Sequence, residues 1–277
     1  MMSNKIAGIV RCSNPLAEAE QVDSAKNFLQ KLGYTVQVSD CLFNTRANAV
    51  HRAEEVMECY ANGGITEILD VSGGDLANGV LEYLDYSLIE KSAARFWGYS
   101  DLTTVLNAIY SKTGKESVLY QLRTVVWDKT QQQANRLQGM LLNNDKSLLD
   151  FSYRFLQGDG MKGVLVGGNI RCLLKLAGTP YFPPTKGNIL LLEAYSGTGY
   201  QMSTYLTQLK QMGVLNQVSG ILLGTFMQME GEKETPTMEQ LVLQAAPGIA
   251  VAKTEQIGHG VLSRAAIIGR TYQLERK

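Results

Sequence analysis

Apolar and polar positions along the first 120 residues alternate between two rhythms. Ile6–Val10 is a short apolar run of strand length. Leu16, Ala19, Val22, Ala25, Phe28, Leu29 and Leu32 then recur mostly at steps of three or four, which places one apolar stripe on a helix. Asn14-Pro15 reads as an N-cap followed by proline at the first helical position, and Gly33 closes the segment. Residues 34–38 carry the next strand signal, 51–61 a second amphipathic helix, and 65–71 a third strand ended by Gly73-Gly74. Val80, Leu81 and Leu84 suggest a further helix. Phe96-Trp97 leads into the tetrapeptide GYSD, and Leu102, Val105, Leu106 and Ile109 stripe the helix after it.

Strand and helix signals in alternation imply an α/β lobe with a parallel sheet covered on both faces. Ser100 of GYSD and the Gly73-Gly74 pair both fall at expected carboxyl ends of strands, where such sheets gather reactive groups. From about 121 to 160 the pattern changes. WDKTQQQANRLQGMLLNNDKSLLD is polar and weakly periodic, and reads as a partly helical linker region. Beyond it the apolar runs are shorter (163–166, 189–192, 221–226, 249–252 and 265–268) and punctuated by Gly and Pro, with 203–212 the best helix candidate. The expectation is an N-terminal α/β domain (1–120), a linker region (121–160) and a strand-rich C-terminal domain (161–277).

Composition narrows the function classes. The 26 Lys+Arg balance 26 Asp+Glu, so no net charge draws the chain to nucleic acid or an anionic membrane. Aromatic residues are not interleaved with basic ones, and no G-x-G-x-x-G or Walker pattern occurs. No apolar run has transmembrane length, and the patch in MMSNKIAGIV is too short for a signal-peptide core, so a cytoplasmic location is expected. Cys12, Cys41, Cys59 and Cys172 form no CxxC pair, which favours free thiols over a disulfide framework or a zinc site. Nothing points to a metal or organic cofactor.

Only His51 and His259 can supply an imidazole. His51 stands at an expected helix start and reads as structural. His259 lies between Gly258 and Gly260 in a loop able to present its ring, a fair general-base position and equally an ordinary surface one. Glu193 ends the apolar run 189–192, either exposed at the strand tip or buried with a partner such as histidine. Ser100 is a nucleophile candidate on a tight strand-to-helix turn. The simpler reading is a helix N-cap serine followed by Asp101 at the positive end of the dipole. Gly167-Gly168-Asn169 reads as another strand-to-helix turn.

In combination these stretches resemble the LD-carboxypeptidase family of serine peptidases, which includes murein tetrapeptide carboxypeptidases and microcin C immunity peptidases. The likeness runs in order through HRAEEVMECYAN, SGGDLANGVLEYLDY, GYSDLTTVLNAIYSKTG, LVGGNIRCLLKLAGTPYFPP, NILLLEA and AKTEQIGHG. It implies Ser100 as nucleophile, His259 as base and Glu193 as the group orienting it. It also implies release of a terminal D-amino acid from a peptide with an L-centre on the acyl side. Backbone N–H groups of Gly74 and Asp101 are the expected oxyanion donors. The expected partner is a small peptide, either a muropeptide or a microcin-like aminoacyl-nucleotide conjugate, and relatives are often homodimers. A non-catalytic two-lobed binding protein is the remaining alternative. Two departures bear on substrate choice: Ser72 stands where many relatives carry Arg before the paired glycines, and Leu262-Ser263-Arg264 where many carry Asp-Ser-Lys.

Overall fold

The structure, a computed structural model, describes residues 5–276; the first four residues of the MMSNKIAGIV segment lie outside them. The strands follow the chain as β1 (Ile6–Val10), β2 (Thr35–Val38), β3 (Ile65–Asp70), β4 (Arg95–Gly98), β5 (Ser117–Leu119), β6 (Arg154–Gln157), β7 (Gly160–Asn169), β8 (Ile189–Ala194), β9 (Gly220–Phe226), β10 (Ala250–Lys253), β11 (Ala266–Ile268) and β12 (Thr271–Glu275). The helices are α1 (Ala19–Lys31), α2 (Ala49–Ala61), α3 (Tyr86–Lys91), α4 (Thr103–Thr113), α5 (Thr124–Trp127), α6 (Gln132–Asn143), α7 (Ile170–Leu174), α8 (Gly199–Gln211), α9 (Met227–Gly231) and α10 (Met238–Ala245).

They build two α/β sheets of six strands. The first has the order β11-β5-β4-β3-β1-β2 and is parallel except for β11 on β5; the second runs β12-β7-β8-β9-β10-β6, parallel at its centre with antiparallel edges. The two-lobed α/β class expected from the sequence is the one observed. In the first sheet the chain reverses its winding between β1 and β3, and the crevice at such a switch point, outside the carboxyl ends of the strands, is where open α/β sheets bind ligands. The turns after β3 and β4 lie at that end.

The central strands β8 and β9 are buried at every position, as parallel strands covered on both faces must be. Helix α1 turns Val22, Ala25 and Leu29 inward onto the first sheet, and fully burying one such leucine contributes about 1.5–3 kcal/mol. Helix α8 starts with a capping box, the Thr198 side chain and Gln201 satisfying each other's backbone N–H, and turns Met202, Leu206 and Leu209 onto the second sheet.

Two local expectations are corrected. Helix α1 begins at Ala19, not after Asn14-Pro15. The Asn14 side chain instead accepts from the Asp75 N–H at 3.0 Å, and the Asn14 backbone N–H donates to the Gly73 carbonyl at 3.2 Å. Tertiary demand for that contact outweighs local capping. Residues Ala77–Tyr83 form a 3-10 turn, because Asn78 and Gly79 weaken an α-helix there. The polar stretch 121–160 contains α5 and α6. Helix α6 buries Ala134, Leu137, Met140 and Leu141, and β6 forms the edge of the second sheet beside β10. The chain then returns: after β10 and the His259 loop, β11 joins the first sheet beside β5. The loop carrying His259 thus spans from one sheet to the other.

Candidate active site

Ser100 follows β4 after one residue, Tyr99. Its φ is 55°, in the left-handed region that costs a non-glycine residue about 1–2 kcal/mol. It opens a 3-10 turn, Ser100–Leu102, that runs into α4, while Tyr99 holds the N-cap place. No side-chain capping bond forms there, so the N-cap reading of Ser100 does not hold. Strain of this kind persists only where the surroundings over-determine it, and such residues gather at functional sites.

Glu193 is the penultimate residue of β8 and has no solvent exposure. The register between β8 and β9 shifts between Leu192 and Ala194, and irregularities of this type re-aim a side chain. Glu193 Oε2 lies 2.6 Å from Nδ1 of His259. The buried alternative for Glu193, with a histidine partner, is therefore the one realised. The His259 ring sits between two tyrosines: Tyr99 at 4.5 Å between centroids and Tyr195 at 5.2 Å. Burial, with the Glu193 charge adding to it, pushes the Tyr99 phenol well above its usual range, so this hydroxyl stays protonated.

The His259 loop is fastened from several sides. Gly258 has φ 141°, and a Cβ there would fall 1.9 Å from the Thr225 hydroxyl, so only glycine fits. Ser263 Oγ donates to the Gly258 carbonyl at 2.6 Å. Gln133, fully buried on α6, donates to the carbonyls of Val261 at 3.0 Å and Ser263 at 2.9 Å, and accepts from the Tyr120 hydroxyl at 3.2 Å. Ser263, which stands between the departing positions Leu262 and Arg264, is thus part of the loop's own support.

Helix α4, which leaves Ser100, is stitched to the second sheet. Asn107 Nδ2 donates to the Gly167 carbonyl at 2.9 Å and its Oδ1 accepts from the Gly167 N–H at 2.8 Å. Thr103 Oγ1 accepts from the Asn169 N–H at 3.0 Å. A Cβ on Gly168 would come within 2.7 Å of that same hydroxyl, which explains a glycine at the point of closest approach. Asn169 caps α7, its side chain accepting from the Cys172 N–H, in keeping with the strand-to-helix turn expected there.

Ser100 and His259 line one cleft of about 420 Å³, together with Ser72, Gly73, Gly74, Asp75, Tyr99, Gln121, Arg123, Trp127, Asn169, Arg171, Tyr195 and Ser196. That volume suits a small peptide. Gly74 is in the cleft wall. The Asp101 carboxylate is fully buried behind Ser100, accepting from Ser13 Oγ at 2.6 Å, the Ala77 N–H at 2.8 Å and Lys175 Nζ at 2.5 Å. This ion pair ties the Ser100 turn to the segment after α7. His51 is exposed near the start of α2 and takes no part in the cleft.

The four cysteines are buried and free. Burial raises every one of the four thiols, those of Cys41 and Cys59 to about 11, so these groups are poor nucleophiles at neutral pH. Among the described residues no cluster of His, Cys, Asp and Glu could hold a metal, and no helix is long and apolar enough to cross a membrane. Sequence reasoning missed Gln133, Asn107 and the tyrosine pair around His259. Gln133 sits in a Gln tract whose polarity signals exposure, and Asn107 interrupts an apolar stripe. Only Tyr99, adjacent to Ser100 in GYSD, carried any local signal.

Two family models match: the LD-carboxypeptidase N-terminal domain over residues 7–121 and the LD-carboxypeptidase C-terminal domain over 162–274. A probable murein peptide carboxypeptidase of Bacillus subtilis is 28% identical over 231 residues, covering 79% of this chain and 71% of its own. A solved structure of MccF in complex with glutamyl sulfamoyl guanosine superimposes with a TM-score of 0.85 at 20% identity, covering 99% of this chain and 94% of the other. A muramoyltetrapeptide carboxypeptidase from Oxalobacter formigenes gives a TM-score of 0.83 at 21% identity, covering 99% and 96%. At these identities the structural matches establish the shared fold.

Proposed function

The chain belongs to the LD-carboxypeptidase family of serine-type peptidases, and we propose that it releases terminal D-Ala from a murein tetrapeptide through Ser100, His259 and Glu193. The observation that carries this reading is the Glu193–His259 contact at 2.6 Å, with His259 and the strained Ser100 facing one cleft. Binding Nδ1 to a buried carboxylate fixes the ring tautomer and leaves Nε2 for proton transfer. In this mechanism Ser100 Oγ attacks the carbonyl carbon while Nε2 accepts its proton. Collapse of the tetrahedral intermediate breaks the C–N bond, and His259 returns the proton to the departing amine of D-Ala. Water, deprotonated by the same imidazole, then releases the acyl group from Ser100. Glu193 stabilises the imidazolium at each stage.

The oxyanion is assigned to the backbone N–H groups of Gly74 and Asp101, the first in the cleft wall and the second in the turn that Ser100 opens. Losing one such donor typically costs about 10²–10³ in turnover. Removal of D-Ala from murein tetrapeptide places the enzyme in peptidoglycan recycling, in the cytoplasm, acting on a small peptide and without a cofactor.

The test is turnover of a murein tetrapeptide by the wild type and by Ser100→Ala and His259→Ala proteins whose circular dichroism is unchanged. Both variants are expected to be inactive. Wild-type rates from folded Ser100→Ala would sink the mechanism. Because an MccF of the same fold is seen with an aminoacyl sulfamoyl nucleoside, an aminoacyl-nucleotide conjugate is assayed in parallel. Faster cleavage of the conjugate would reassign the substrate and leave the chemistry intact. Binding of either compound without any hydrolysis would mark a non-catalytic binding protein.

A further inference from the structure

A carboxypeptidase must recognise the free carboxylate at the end of its substrate, and the cleft holds two guanidinium groups in different electrostatic states. Arg171, on α7, forms an ion pair with Asp75, and its Nη2 donates to the Gly74 carbonyl at 3.2 Å. Lys175, just beyond α7, is likewise engaged, with Asp101 at 2.5 Å and the Asp75 carbonyl at 3.0 Å. Arg123 is different. It stands between β5 and α5, lines the cleft with Ser100, and makes no ion pair within bonding distance among the described residues, though the charges of Asp70 and Glu18 act on it from further away. Its Nε is buried without a hydrogen-bond partner. Its guanidinium lies 5.0 Å from the centroid of the Trp127 ring, and Trp127 lines the cleft as well.

An unpaired, partly desolvated guanidinium is costly in the empty protein, and the cost shows as a lowered Arg123 pKa caused first by burial. Arginine remains charged regardless, so an anion is the group that offsets the cost. The planar fork matches a carboxylate with two parallel N–H···O bonds, and stacking on an indole fixes the plane of the fork. Ser72, before the paired glycines in the cleft wall, supplies no charge: its hydroxyl donates to Asp70 at 2.6 Å and accepts from the Ser13 N–H at 3.0 Å.

We propose that Arg123, stacked on Trp127, binds the terminal carboxylate of the peptide substrate and so confers selectivity for peptides with a free C-terminus. This deepens the peptidase reading and rests on it. In the bound state the departing D-residue lies with its carboxylate on Arg123, and the carbonyl of the residue before it, to which its amine is joined, lies at Ser100.

The experiment compares the murein tetrapeptide with the same peptide as its C-terminal amide. The kcat/KM of each is measured for wild type, Arg123→Gln and Arg123→Lys. Binding of each is measured by calorimetry in the Ser100→Ala background, with and without Arg123→Gln. Arg123→Gln is expected to lose about 10- to 100-fold on the carboxylate peptide, mainly in KM, and little on the amide. Arg123→Lys keeps the charge and loses the fork, so it falls between. Equal losses on both peptides, or no loss, overturn the assignment while wild-type turnover leaves the peptidase reading standing. If wild type cleaves neither peptide, the peptidase reading fails and calorimetry decides separately. A carboxylate preference abolished by Arg123→Gln then supports the clamp; no Arg123-dependent preference, or no binding, refutes it.

Discussion

Nδ1 of His259 and Oε2 of Glu193 lie 2.6 Å apart, 66 residues apart in the chain, with the carboxylate fully buried at the end of β8. A buried carboxylate is tolerated only with a partner, and here the partner is a ring that itself opens onto the cleft. The contact therefore does two things. It satisfies one oxygen of Glu193, and it fixes an imidazole that lines the same cleft as Ser100.

Replacing Glu193 by Gln keeps the shape and removes the charge that holds the tautomer. In the proposed mechanism turnover falls by about 10³–10⁴, with KM little changed and the fold intact. Steady-state kinetics alongside a urea melt measure both. A loss below tenfold would mean that His259 needs no acidic partner.

Ser100 carries its left-handed backbone whatever chemistry it performs. Ser100→Ala keeps a Cβ at φ 55° and so keeps the strain, whereas Ser100→Gly releases it. Glycine gains entropy in the unfolded chain, which offsets part of the benefit. The glycine variant is expected to be the more stable of the two by up to about 1 kcal/mol, read from urea midpoints at equal slope. Equal or reversed midpoints would show that the turn is not strained by the side chain.

Gln133 acts on the site at a distance, through the loop it holds. Gln133→Leu fills similar space but withdraws the donor from the Val261 and Ser263 carbonyls and the acceptor from the Tyr120 hydroxyl. Leaving such groups unpaired costs about 1–3 kcal/mol. The amides of 258–263 are expected to exchange hydrogen faster, with turnover falling while KM changes less. Unchanged exchange in that loop would refute the assignment of Gln133 as a positioning residue.

The amino-acid sequence by itself determined the alternation of elements in the first lobe. Short apolar runs and helical stripes are local patterns, and β1, β2, β3, β4, α2 and α4 follow them closely. It also marked Ser100 at a strand end, the Gly167-Gly168 turn, and Glu193 as a carboxylate needing a reason to close an apolar strand. Tertiary structure decided the rest. Asn14 does not cap α1 but bonds the turn at Gly73 and Asp75, about sixty residues away in the chain. Strand β11 crossed back to pair with β5, and Gln133 found carbonyls up to 130 residues away. These choices depend on which surfaces meet when the two sheets pack, and on which buried polar groups would otherwise lack partners. Local pattern carries the period of each element; only the packed chain fixes which buried groups face one another.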